Sequence, residues 1–307
     1  MKNHNFLAWC ARTPWAMDPV AMHAYAAILA RAYARRDGID ASPVEPVALS
    51  GVPRAGQGKQ GGNIAVIGVY GTIVQRASQL GPCEGGTSTQ QIRQALATCE
   101  QDDTVAQVLM DFDTPGGSVF DVDALGADMR AFREKKPLVG IANSQCGSAG
   151  FWLLSQCSTA YCTPGGQVGS KGVWMAHEDI SKALEASGID VTLISSGKYK
   201  VEGNPFGPLA EDTKAFLQAS TDDYLAMFDK AVAKGRGVSI DQVRGKMGDG
   251  RMLSATDALA AGMVDGVATF AEVVATMQRQ QKAAAAAQRA AEARPNSLAA
   301  RIALAGL

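Results

Sequence analysis

The chain has 307 residues, and its 29 Lys and Arg nearly balance 30 Asp and Glu for a formal net charge of −1. That balance, with no basic block, gives no electrostatic case for nucleic acid and favours no acidic partner, and the length suits one large α/β domain with appendages or two small domains. No run approaches the ~20 apolar residues of a membrane span, and the apolar start is broken by Arg12, Pro14, Asp18 and Pro19, so neither a membrane anchor nor a signal peptide is expected and the protein reads as cytoplasmic.

In chain order, residues 15–36 are alanine-rich with Met22, Tyr25, Ile28, Leu29 and Tyr33 on one stripe, which predicts an amphipathic helix inside a segment 1–38. Residues 39–62, rich in Pro and Gly, read as a linker. From 63 onward short β-branched runs alternate with helical patterns. A bent strand or strand pair is predicted over 64–74, a helix over 87–100 capped by Thr87 or Ser88, a strand over 105–112, a helix over 121–135 and an extended run over 138–142. A helix over 148–155, strands over 160–163 and 173–175, a helix over 178–186 and a strand over 191–195 follow. Such β-α-β repetition predicts an α/β fold with a mainly parallel sheet covered by helices, whose ligands gather at the carboxyl ends of strands. A long helix is predicted over 211–234. The Ala/Gln-rich stretch 271–307 is helix-prone but nearly devoid of large apolar residues, so it reads as an exposed helix or a semi-ordered tail.

Chemistry concentrates in four stretches. Asp113-Thr-Pro-Gly-Gly-Ser118 follows an apolar strand, and its two glycines let backbone N–H groups turn into a cleft, as an oxyanion hole requires; the alternative is a tight turn before the next helix. Ser148 stands after Gly147 where a strand gives way to a helix, with the N–H of Ala149 placed to share an oxyanion with Gly117; the alternative is an ordinary N-cap serine. Lys198 and Lys200 close the 191–195 strand, and side-chain alternation lets only one of them face the cleft. An unperturbed lysine, with a pKa of about 10.4, must be buried to act as a base near neutral pH, at a cost of ~4 kcal/mol for a shift of ~3 units. Ser170, in Gly169-Ser-Lys-Gly172, is placed to orient such a lysine or simply to make a turn.

Histidine offers little. His4 and His23 lie near the start, and His177, followed by Glu178 and Asp179, reads as a helix-start residue and a weak ligand set. There is no P-loop, and Gly116-Gly117 and Gly165-Gly166 do not fit phosphate-binding spacing, so no cofactor and no metal are expected. The six cysteines form no CxxC and read as free thiols in a reducing compartment.

Taken in order, Ile64-Ala-Val-Ile-Gly-Val-Tyr-Gly-Thr-Ile73, Asp113-Thr-Pro-Gly-Gly-Ser-Val119, Ser148-Ala-Gly-Phe-Trp-Leu153, Val168-Gly-Ser-Lys-Gly-Val173, Ser196-Gly-Lys-Tyr-Lys200, Lys234-Gly-Arg-Gly237, Asp249-Gly-Arg251 and Ala261-Gly-Met-Val-Asp-Gly266 resemble the signal peptide peptidase A family of serine peptidases, in particular its phage capsid-assembly or prohead branch. The resemblance covers about residues 63–270. It implies the Clp protease/crotonase-like fold, Ser148 as nucleophile, Lys200 rather than Lys198 as general base, Gly117 and Ala149 as oxyanion-hole positions and Ser170 beside the lysine. It further implies a homo-oligomer that cuts scaffold or capsid protein inside the immature phage head. Ala149, where the family often has glycine, and Lys171, where an apolar residue is usual, depart from the pattern. Two competing readings are a crotonase-type acyl-CoA enzyme, for which Glu202 is the one acid near the cleft in sequence, and a catalytically inactive structural head protein.

Overall fold

The computed structural model describes residues 15–17, 54–55, 63–77 and 85–292. In chain order the elements are β1 (Trp15–Met17), β2 (Arg54–Ala55), β3 (Asn63–Tyr70), β4 (Thr72–Val74), β5 (Gly86–Ser88), α1 (Thr89–Gln101), β6 (Val105–Thr114), β7 (Gly116–Ser118), α2 (Val122–Arg133), β8 (Leu138–Gly147) and α3 (Ala149–Leu154). There follow β9 (Thr159–Cys162), β10 (Gln167–Gly169), α4 (Ser181–Ala186), α5 (Glu211–Arg236), α6 (Ile240–Lys246), β11 (Met252–Ser254), α7 (Ala255–Ala260), β12 (Gly266–Val267) and α8 (Phe270–Glu292).

The larger sheet runs β11-β10-β8-β6-β3-β2, with β9 on β8 and β12 on β9. Its central pairs β3–β6, β6–β8, β8–β9 and β8–β10 are all parallel. Val108, Leu109, Met110 and Phe112 of β6 are fully buried, as a strand covered on both faces must be. The expected mainly parallel α/β architecture is the one observed. Long β8 serves two neighbours in turn: Val139–Ala142 pair with β9, then Gln145–Gly147 pair with β10. That divergence opens the sheet at the carboxyl end of β8, where Ser148 stands.

A smaller sheet, ordered β1-β7-β4-β5, packs beside this end. Helix α1 starts with a complete capping box, Ser88 accepting from the Gln91 N–H and the Gln91 side chain accepting from the Ser88 N–H, so Ser88 and not Thr87 is the cap. One core gathers α1, α2, α3 and α5 with the sheet; Trp152 of α3 stacks on Phe228 of α5 at 4.6 Å between ring centroids.

Four expectations differ from the structure. Residues 15–17 form a strand rather than the start of a helix, because β7 and the carbonyl and amide of Trp174 offer backbone partners on both edges; the rest of 1–38, and most of 39–62, lie outside the described residues. Residues 191–195 form no strand: nothing among the described residues pairs with them, and Val191, Leu193 and Ile194 stay exposed. The strand expected over 173–175 is a single bridge, Trp15 to Trp174. Helix α8 is not wholly solvent-facing, since Val273 and Met277 are buried against Ile64, Leu109, Val139 and Ile141, and the Gln107 side-chain amide donates to the Met277 carbonyl at 3.0 Å. Val273 and Met277, with Phe270 and Val274 half-buried beside them, dock the first turns of the helix, while most of the alanines between 283 and 291 face solvent; the rest of the 271–307 stretch, from 293 on, lies outside the described residues. No helix among the described residues is long and apolar enough to cross a membrane.

Candidate active site

Ser148 joins β8 to α3 with no loop residue between them. Its N–H donates to the Gly169 carbonyl at 2.8 Å, extending the β8–β10 ladder, while its own carbonyl accepts from Trp152 N–H at 2.9 Å and so opens the helix. Obeying both constraints forces φ 51° and ψ −113°. A serine there carries strain of about 1–3 kcal/mol, held because strand and helix both demand it. An ordinary N-cap serine is extended and bonds its hydroxyl to the helix; Ser148 does neither. Its Oγ instead lies 3.4 Å from the Gly172 carbonyl, inside a site where Ser148 is 1% exposed.

The glycine turn fits tightly against this elbow. The Thr114 hydroxyl donates to the Gly71 carbonyl at 2.6 Å and accepts from Gly116 N–H at 3.0 Å, which fixes the turn between β6 and β7. A Cβ on Gly116 would lie 2.9 Å from the Ser148 Cβ, and one on Gly117 would collide with the Ile73 carbonyl. Gly116 also has φ 105°, so no side chain is tolerated here on either ground. Gly117 and Ala149, expected as oxyanion-hole positions, thus bracket Ser148 from two elements, and Ala149 is fully buried.

Ser170 sits one residue past β10 at φ 52°, is 5% exposed and donates its N–H to the Arg251 carbonyl at 2.8 Å. Its neighbour Lys171 was expected only as a departure. Lys171 is 2% exposed and its Nζ lies 2.9 Å from the Asp229 carboxylate, whose other oxygen accepts from Arg244 Nε at 2.9 Å. This charge chain pins the 170–172 loop, and hence the Gly172 carbonyl facing Ser148, to α5 and α6. Asp229 was missed in the sequence; its signal is a carboxylate between Phe228 and Ala231 on the apolar face of a long helix.

Lys200 lies elsewhere in character. Residues 185–200 are all exposed, and Lys200 makes no ion pair or side-chain hydrogen bond among the described residues; its N–H donates to the Gly197 carbonyl at 3.2 Å within a turn. Lys198 Nζ rests 4.7 Å from the centre of the Tyr199 ring. The structure therefore gathers Ser148, Gly117, Ala149 and Ser170, and leaves both lysines on a solvent-facing arm. His177 Nε2 is 3.2 Å from the Gly207 carbonyl, away from a triad geometry with Ser148. Cys146, two residues from Ser148, is no rival nucleophile: burial drives its thiol pKa well up, as it does those of Cys157, to about 12, and Cys162, to about 11.

Residues 130–284, which hold Ser148, Ser170 and Lys200, match Peptidase family S49. The chain belongs to this family. It is 35% identical over 215 residues to Capsid assembly protease C of Escherichia phage lambda, covering 70% of this chain and 48% of that protein. It is 32% identical over 214 residues to Head-tail preconnector protein GP5 of Enterobacteria phage P21, covering 70% of this chain and 42% of that protein. The chain thus spans less than half the length of these two relatives. Among solved structures, a ClpP1 mutant from Listeria monocytogenes superposes with a TM-score of 0.42 at 12% identity, covering 68% of this chain and 94% of that one. This S49 chain places its strained serine at the carboxyl end of a parallel strand, where α/β sheets expose their ligand sites.

Proposed function

We propose that this S49 chain is a serine endopeptidase in which Ser148 is the nucleophile, Lys200 the general base, the N–H groups of Gly117 and Ala149 the oxyanion hole, and Ser170 a positioning residue for the lysine. The observation that carries it is Ser148 itself: a buried serine in a strained backbone, its hydroxyl unused for capping, beside a glycine turn that admits no side chain. In the reaction the neutral amine takes the hydroxyl proton as Oγ attacks the scissile carbonyl and passes it to the leaving amine. Water, deprotonated by the same amine, then frees the acyl group.

A Ser148–Lys200 dyad requires that the lysine leave bulk water. The arm that carries it exposes Val191, Leu193 and, at 96%, Ile194. Apolar side chains in such a row favour burial against another surface, so the dyad is completed in a homo-oligomer in which a second copy covers the arm. The substrates proposed are protein: scaffold or capsid protein of a phage head, digested inside the immature shell in the host cytoplasm. The family match and the names of the two phage relatives support this setting. Labelling by a fluorophosphonate probe, lost in Ser148→Ala, together with cleavage of co-expressed scaffold protein, tests it. A probe that labels no serine in the assembled protein would refute the nucleophile, and failure to cut any co-expressed head protein would refute the setting.

A further inference from the structure

The remaining feature that the catalytic proposal leaves unexplained is β1. Three residues from the start of the chain, far in sequence from the site, lie directly against the glycine strand: Trp15 opposite Ser118, Ala16 opposite Gly117 and Met17 opposite Gly116, antiparallel. On its other edge Trp15 exchanges both backbone hydrogen bonds with Trp174, at 2.9 and 3.1 Å, and the Trp174 indole N–H donates to the Met17 carbonyl at 3.0 Å. The three residues are 1%, 0% and 2% exposed. A segment inserted as a strand between two backbone edges is how an extended peptide binds a protein groove.

The register also fixes which peptide bond is presented. Because Trp15 turns its N–H and C=O to Trp174, alternation turns those of Ala16 toward Gly117, whose N–H is the proposed oxyanion donor. A Cβ at Gly116 would collide with the Ala16 oxygen and lie 2.9 Å from the Ser148 Cβ, so that carbonyl and the serine flank the same glycine. Ala16 is also the smallest side chain of the three and is enclosed on all sides.

We propose that β1 is a substrate strand of the chain's own active site and that the Ala16–Met17 bond is a self-processing site. This deepens the peptidase proposal and rests on it. Ser148 Oγ bonds to the Ala16 carbonyl carbon and its proton goes to the Met17 nitrogen as the C–N bond breaks. One water then adds across the Ser148 ester, restoring the hydroxyl and leaving an Ala16 carboxylate and a free Met17 amine. Release of the strand empties the groove for other protein substrates.

The test is intact-mass measurement and N-terminal sequencing of the full chain and of Ser148→Ala, with a fluorogenic peptide carrying alanine before the scissile bond as an independent readout. The expected result is a wild-type protein beginning at Met17, an uncut Ser148→Ala protein with unchanged circular dichroism, and suppression of cutting in Ala16→Glu, whose carboxylate has no room in the enclosed position. A wild-type protein that hydrolyses the fluorogenic peptide but keeps residues 1–16 would overturn the self-processing site and leave the peptidase intact. Cutting at Ala16 that persists in Ser148→Ala would overturn it as well, by assigning the cut to another protease. Absence of both activities would overturn the two proposals together.

Discussion

The elbow around Ser148 and the arm around Lys200 carry the two halves of one proposed dyad, yet they are built on opposite principles. The backbone of Ser148 is committed on both sides, its N–H to β10 and its carbonyl to α3, and the adjoining loop is tied to Asp229 through Lys171. Residues 185–200 are exposed throughout, with apolar side chains in water. A nucleophile must be held to within fractions of an ångström, which a folded core can do alone. A lysine base must instead be dried, and a single copy of this chain does not dry it. The frame of the proposed nucleophile is thus complete in one copy of the chain, and the dry surroundings of the proposed base are not.

The largest effects separate the two regions by activity. Ser148→Ala and Lys200→Ala are each expected to lower turnover of a reporter peptide about 10^4-fold or more. In the unassembled chain, where Lys200 is exposed, Lys200→Ala should leave the melting temperature almost unmoved, as exposed substitutions generally stay within about 0.5 kcal/mol. Retained activity in Lys200→Ala would transfer the role to Lys198 or end the dyad. Next comes the charge chain beneath the elbow. Asp229→Ala leaves the Lys171 ammonium buried without its partner and is expected to cost about 3–5 kcal/mol in chemical denaturation, whereas the joint replacement Lys171→Met with Asp229→Leu should recover most of that loss. If the single variant loses no stability, the loop is not anchored there.

A smaller effect has the opposite sign. Ser148→Gly removes the side chain that φ 51° penalises and should raise stability by about 1–3 kcal/mol, while abolishing turnover. No substitution in the arm should stabilise in this way. Smallest is the acid limb of the stability profile. At Asp121 and Asp265 burial would raise the carboxyl pKa, but hydrogen bonds outweigh it, from Arg93 and Thr89 at Asp121 and from Arg236 and the Ala160 N–H at Asp265, so both lie below the usual carboxylate value. Each therefore stabilises the fold above that value, near 4, and loses its contribution as pH falls through the depressed one. Burial raises Asp111, whose contribution runs the other way and weakens as pH climbs past the ordinary value. Asp121→Asn should flatten the loss of melting temperature below pH 4; an unchanged slope would show the pair adds nothing.

The parallel sheet was legible because buried strands such as Val108–Phe112 read as mainly apolar runs, broken there only by Asp111, and the capping box at Ser88 to Gln91 is a local signal. Ser148 and the Gly116-Gly117 turn were legible as residue types at the ends of strands. What escaped was non-local. Alanine-rich residues after Trp15 follow helical periodicity, yet 15–17 become a strand because the far edge of β7 offers them hydrogen bonds. Val191, Leu193 and Ile194 have strand-like composition, but a strand needs a partner and none among the described residues adjoins them. Lys171 looked like a departure from a family pattern until Asp229, 58 positions away, was seen to face it.

The order of residues alone therefore determined the fold class and the chemical candidates, because hydrophobic period, glycine placement and a nucleophile after a strand are properties of neighbouring positions. Tertiary structure alone decided that Ser148 is strained rather than capping, that Lys171 is buried and paired, that Lys200 stands in solvent, and that Ala16 lies against the glycine strand. Each of those depends on which distant backbone edge or charge is nearby, and proximity of that kind is set only when the sheet closes and its edges find partners.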